Sequence, residues 1–76
     1  MSERAQIPHP AESEDDDRLI PLIRVMEIAG IGKTMIYRLE REGRFPKRCK
    51  PGGAASRWSE WEVRRWRDEV KAARAA

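Results

Sequence analysis

Cysteine is almost absent, and its scarcity removes several functions at once. Cys49 stands alone, so no disulfide can close within the chain and no cysteine-based metal cluster can form, as suits a reducing compartment. Flanked by Arg48 and Lys50, its thiol could be activated, but a strand or surface position is the commoner place for such a residue. Histidine is as scarce: His9 sits between Pro8 and Pro10 without a second ligand nearby, so no metal site is expected. One His, one Cys and acids scattered among bases give no nucleophile and base to pair, and no enzyme is expected. Long apolar runs are missing too. Nothing approaches the roughly 18 residues of a membrane helix, and the N-terminus has no signal-peptide core, so a soluble, cytoplasmic, nucleoid-associated protein is expected and no membrane contact. A chain of 76 residues also lacks the size for a large interior. Domains this small bury only ~60% of their unfolded surface, which leaves no expected pocket for a cofactor or small-molecule ligand.

What is abundant is charge, and it is segregated. Residues 1–17 hold six acids and one base, a net of −5, whereas residues 18–76 hold fifteen bases and seven acids, a net of +8. That asymmetry points the second part at a polyanion. The first part, with Glu12-Ser13-Glu14-Asp15-Asp16-Asp17 and few apolar residues, reads as a disordered acidic tail over 1–17. An ordered domain over 18–72 and a short C-terminal tail over 73–76 complete the expected organisation.

Within the domain, Leu19-Ile20-Pro21-Leu22-Ile23 is short and apolar, and Pro21 admits an edge strand but no central one. Arg24 to Ala29 puts Val25, Ile28 and Ala29 on one helical face, and Gly30 supplies a stop. The tight Gly30-Ile31-Gly32 connection leads into a second helix ended by Gly43, with Ile31 placed to plug the angle. Helix, short glycine turn, helix is the helix-turn-helix pattern. At about 100° per residue, Ile36 and Leu39 of the second helix share one side, while Thr34, Tyr37, Arg38 and Arg41 cluster opposite. A hydroxyl, a phenol and two guanidiniums at that spacing suit a helix lying in a major groove.

From Arg44 to Trp58 the chain carries Arg44, Lys47, Arg48, Lys50 and Arg57 and no acid, and Gly52-Gly53 suggests a two-residue hairpin turn. Ser59-Glu60-Trp61-Glu62 has the form of a capping box, with Trp58 and Val63 as its staple. The third helix it opens should pack Val63, Trp66, Val70 and Ala73 inward and keep Arg64, Arg65, Arg67, Lys71 and Arg74 wet. Trp61 points away from that core, toward the hairpin base or a protein contact. Gly32-Lys33-Thr34 invites a phosphate-loop reading, but Glu27 stands where its first glycine must be and a helix precedes it. Lys33 instead sits at a helix N-terminus, where phosphate is favoured anyway.

Arg18 to Val70 resembles the AlpA family of phage-type regulatory proteins, relatives of MerR-like winged-helix and excisionase proteins. The residues that carry the likeness are Gly30-Ile31, Ile36-Tyr37-Arg38-Leu39, Glu42-Gly43-Arg44-Phe45-Pro46-Lys47, Gly52-Gly53, Arg57-Trp58-Ser59, Glu62-Val63 and Trp66. The resemblance implies a mainly α fold with a β-hairpin wing, a winged helix-turn-helix whose second helix enters the major groove of double-stranded DNA. It also implies control of excision in a prophage or integrative element. That control would be exerted as a transcriptional regulator of integrase genes, or as an excisionase and recombination directionality factor bending attachment-site DNA. Integrase or RNA polymerase would be partners, with two or more copies on the DNA. A basic interaction module that binds no DNA is the alternative. Expected base contacts are Thr34, Tyr37, Arg38 and Arg41, and expected phosphate contacts are Lys33, Arg44, Lys47, Arg48, Lys50 and Arg57. Gly32, Met35 and Ala54 depart from the family pattern at the helix cap, at a base-facing position and at the wing tip.

Overall fold

The computed structural model describes residues 16–74. They form β1 (Leu19–Ile20), α1 (Leu22–Ala29), α2 (Lys33–Arg41), β2 (Trp58–Ser59) and α3 (Glu60–Ala73). The result is a mainly helical domain with a small two-stranded antiparallel sheet, consistent with a winged helix-turn-helix. The expected acidic tail up to Asp15, His9 within it, and the last two residues of the expected C-terminal tail lie outside the described residues.

Pro21 divides the first apolar stretch. The strand ends before it, and its carbonyl accepts from Arg24 N–H at 3.0 Å and Val25 N–H at 3.1 Å, opening α1 at Leu22. The first helix is thus two residues longer at its start than the sequence spacing predicts, because a proline without an N–H sits comfortably where helix donors are unpaired anyway. Gly30 then takes a left-handed φ of 74° and donates to Met26 O, stopping α1. Gly32 begins α2 with no side-chain cap, as its lack of a hydroxyl dictates. At the other end of α2, Gly43 at φ 75° donates to Glu40 O at 3.1 Å and Arg44 donates to Leu39 O at 2.8 Å. This paired closure satisfies two helix carbonyls and turns the chain sharply toward the wing.

β1 pairs antiparallel with β2, Leu19 against Ser59 and Ile20 against Trp58. That pairing also completes the start of α3, where three donors would otherwise be unpaired. Glu60 N–H reaches Arg18 O at 2.9 Å, Trp61 N–H reaches Asp17 Oδ1 at 2.8 Å, and Glu62 N–H reaches Ser59 Oγ at 3.0 Å. The Ser59 hydroxyl in turn donates to Asp17. The Ser59 half of the capping box therefore forms, with a second cap, Asp17, supplied from the far end of the domain. Replacing Asp17 with Ala is expected to lower stability by about 1 kcal/mol, measured by urea unfolding, since two donors, the Trp61 N–H and the Ser59 hydroxyl, are released and an anion leaves the helix N-terminus.

The core is Ile20, Val25, Ile36, Phe45, Trp58 and Val63, so every element contributes to it, along with the Phe45 turn. Ile31 packs against it, as a plug between α1 and α2 should. Trp66 sets its ring edge-on to Phe45 at 4.9 Å and donates from Nε1 to Arg44 O at 2.9 Å, tying α3 to the segment after α2. The inward stripe expected along α3 stops there: Val70 is 50% exposed and Ala73 is exposed. A 14-residue helix is simply longer than the layer it covers.

The wing differs from a two-residue Gly-Gly hairpin. Cys49 and Arg57 make one antiparallel bridge with both bonds at 2.8 Å, closing a loop over residues 50–56. Its turn runs from Lys50 to Gly53, with Pro51 and Gly52 central, Gly53 N–H on Lys50 O at 2.9 Å, and Gly53 at φ 85°. Pro51 pre-sets the first central angle, which moves the turn one residue earlier than the glycine pair suggests. Cys49 takes an exposed, strand-like position.

Candidate nucleic-acid interface

α2 is stabilised by a face that is not wholly apolar. Ile36 is fully buried and Glu40 is 7% exposed. Glu40 lies only about 40° round the helix from Ile36, so the same rotation that buries one buries the other. Leu39 and Tyr37 are half-buried on either side. Lys33, Thr34, Met35, Arg38 and Arg41 remain exposed.

Helical spacing alone turns Tyr37 outward with Thr34, Arg38 and Arg41, and this placement needs correction. Its ring lies 6.3 Å from that of Trp58, tilted by 37°, and the Arg48 guanidinium stands 5.0 Å from its centroid. Tyr37 is therefore partly a core residue, held between an indole and a cation. Thr34, Arg38 and Arg41 keep the exposed face that the helical spacing assigns them.

An open cleft of about 530 Å³ lies between α2 and the segment entering the wing, lined by Tyr37, Glu40, Arg41, Lys47 and Arg48. Among the basic residues singled out from the sequence, Lys33, Arg38, Arg41, Lys47 and Lys50 are exposed and have no acid partner among the described residues. Arg44 pairs with Glu42 at 3.1 Å, an exposed contact worth little and easily exchanged for another anion. Arg57 is half-buried and donates to Ser56 O at 2.9 Å. Arg48 stands apart. Its guanidinium donates to Glu40 and its backbone N–H reaches Glu40 Oε2 at 2.7 Å. The structure thus brings Arg41, Lys47 and Arg48 around one cleft, with Lys33 and Arg38 on other turns of α2 and Lys50 and Arg57 on the wing.

At the start of α3 sits a second buried carboxylate that residue spacing did not single out. Glu60 is fully buried and accepts from Arg18 Nε at 2.8 Å and from Arg64 at 3.2 and 2.9 Å. Burial is the largest single influence and opposes ionisation, yet the two arginine bonds and charges together outweigh it and hold the carboxyl below its usual range. Arg64, expected to stay wet, is accordingly only 22% exposed in its side chain. The i,i+4 spacing of Glu60 and Arg64 was the available signal; Arg18 arrives from another part of the chain and had none.

Trp61 lines a shallow depression of about 410 Å³ with Phe45, Pro46 and Trp66, and the Arg65 guanidinium lies 5.0 Å from its ring. It covers the base of the segment leading to the wing. No group of three or more His, Cys, Asp or Glu that could hold a metal ion occurs among the described residues, and no helix there is long and apolar enough to cross a membrane.

Residues 18–71 match the family described as Prophage CP4-57 regulatory protein (AlpA). An uncharacterized protein, ORF88, of Enterobacteria phage P4 is 32% identical over 57 residues, which is 75% of this chain and 65% of that protein. The chain thus spans just under two thirds of that relative's length. No solved structure matches.

Proposed function

Since its residues 18–71 make this chain a member of the AlpA family of prophage regulatory proteins, a family that is not enzymatic, we propose that it regulates by binding double-stranded DNA inside the cell. The observation that carries this reading is the set of exposed, acid-free cations Lys33, Arg38, Arg41, Lys47 and Lys50 on α2 and the adjoining wing. Positive charge on a helix and an adjacent loop is the footprint of a groove-binding module. Arg38 reads a base edge with Thr34 and Arg41 flanking, and Tyr37 adds whatever part of its ring the core leaves free. Lys33, Arg44, Lys47, Lys50 and Arg57 meet phosphates and set register without reading sequence.

With roughly five to seven phosphates engaged, affinity should fall with salt along a log–log slope of about −5 to −6. A slope near zero would favour a module for acidic proteins instead. Arg38→Ala should cost about 1 to 3 kcal/mol on a selected site and little on random duplex, whereas Lys50→Ala should weaken both alike. Fluorescence-anisotropy titrations on the two DNAs distinguish these patterns, and equal losses for Arg38→Ala would remove its role as a base reader.

One small domain reads few base pairs, so two or more copies act together on a site. The family's description names a regulator, and we read its action as control of excision, through an integrase promoter or directly as an excisionase. An excision assay with purified integrase and attachment-site DNA, without transcription, separates these two: stimulation there would assign the excisionase role.

A further inference from the structure

Arg48 has the composition of a phosphate contact and the surroundings of something else. Its partner Glu40 is an acid on the buried side of α2, with only 9% of its side chain exposed, so its charge must be met locally. Arg48 meets it twice, through the guanidinium and through its own backbone N–H at 2.7 Å. The same guanidinium covers the Tyr37 ring at 5.0 Å. One residue of the wing is thereby fixed to two residues of α2, on the wall of the cleft that also holds Arg41 and Lys47. The pair has no net charge to offer a polyanion, whereas neighbouring Lys47 has a whole one.

Resting on the DNA-binding reading above, we infer that Glu40 and Arg48 are positioning residues that lock the wing onto the recognition helix and set the Tyr37 ring, with no phosphate neutralised by Arg48. The chemistry suits that task. A carboxylate can accept from a backbone amide and a planar guanidinium together, and only arginine supplies the flat fork that also stacks on a phenol. A lysine here would keep the charge and lose the geometry. The clamp joins α2 and a loop closed by a single β-bridge into one surface.

The test uses the full chain, a duplex selected from a randomised library, a random duplex of equal length, and salt titrations on both. The double variant Glu40→Gln/Arg48→Gln removes both charges and leaves the local balance unchanged. Its salt slope should match that of the wild type, while Lys47→Gln should flatten the slope by about 0.9. The ratio of selected to random affinity should fall about tenfold in the double variant, the scale of one poorly read base pair. Arg48→Lys, which leaves Glu40 paired and the fold secure, should lose a similar part of that ratio. A slope flattened by about 0.9 in the double variant would make Arg48 a phosphate contact and overturn the inference. An unchanged ratio in Arg48→Lys would overturn it equally. In the free protein, Arg48 side-chain protons should show upfield ring-current shifts from Tyr37 that vanish in Glu40→Gln. Their absence in the wild type would refute the clamp. A wild-type salt slope near zero with those shifts present would instead refute the DNA-binding reading.

Discussion

Trp58→Ala is expected to abolish the cooperative thermal transition and most of the helical circular dichroism of the protein. Trp58 is the largest fully buried side chain of the domain, and large aromatic-to-alanine truncations in cores cost about 3 to 5 kcal/mol. A domain of this size commonly has little more than that to lose. The residue also ties together elements from different parts of the domain. It pairs with Ile20 across the sheet, underlies the Tyr37 ring of α2 and immediately precedes the cap of α3. Its indole N–H, however, is buried with no acceptor among the described residues, a situation that costs about 1 to 3 kcal/mol. Trp58→Phe removes that donor along with some volume, so the two effects oppose each other, and stability should stay within about 1 kcal/mol of the wild type. If the Trp58→Phe protein melted like the alanine variant, indole shape rather than apolar bulk would be what holds β2 in place.

The second large effect concerns Glu60 and is best read as a reversal of pH dependence. Its folded-state pKa is lowered, so its stabilising contribution is fully present above the ordinary carboxylate range and is lost as pH falls through the folded value. Wild-type stability should therefore decline on acidification below about pH 4 to 5, partly through this residue. Glu60→Gln should flatten that part of the acid limb. Removing both cations, as Arg18→Ala/Arg64→Ala, leaves a fully buried carboxylate with burial unopposed, and burial is the strongest single influence on it. That variant should lose about 3 to 5 kcal/mol at neutral pH. It should also regain stability on acidification, because its folded pKa now lies above the unfolded one and protonation relieves the uncompensated charge. Urea unfolding at a series of pH values from neutral to acid tests this. An acid limb of the same sign in the double variant would mean that Glu60 reaches solvent once its arginines are gone.

Both effects start from residues whose importance differs in legibility. Trp58 is readable as the residue before a cap, because a capping box and its staple are local patterns of a few residues. The same is true of the Gly30 and Gly43 stops and of Ile36 facing inward. Tyr37 and Arg64 depart from their expected places for a shared reason. Helical spacing tells which residues lie together on a cylinder, but not how far round that cylinder the neighbouring elements reach. In α2 they reach past Ile36 to Glu40 and Tyr37; along α3 they stop short of Val70.

By itself, the sequence determined the helix-turn-helix order, the helix stops at Gly30 and Gly43, the Ser59 cap, the segregation of charge and the likeness to a family of prophage regulators. These depend on residues adjacent in the chain or on bulk composition, and local sterics and electrostatics act on them without reference to a fold. Only the tertiary structure decided which charges remain available. Glu40 and Glu60 are buried acids that claim Arg48, Arg18 and Arg64 across separations of 8, 42 and 4 residues. A charge in a dry interior must find its counter-ion nearby in space, wherever the chain happens to supply it.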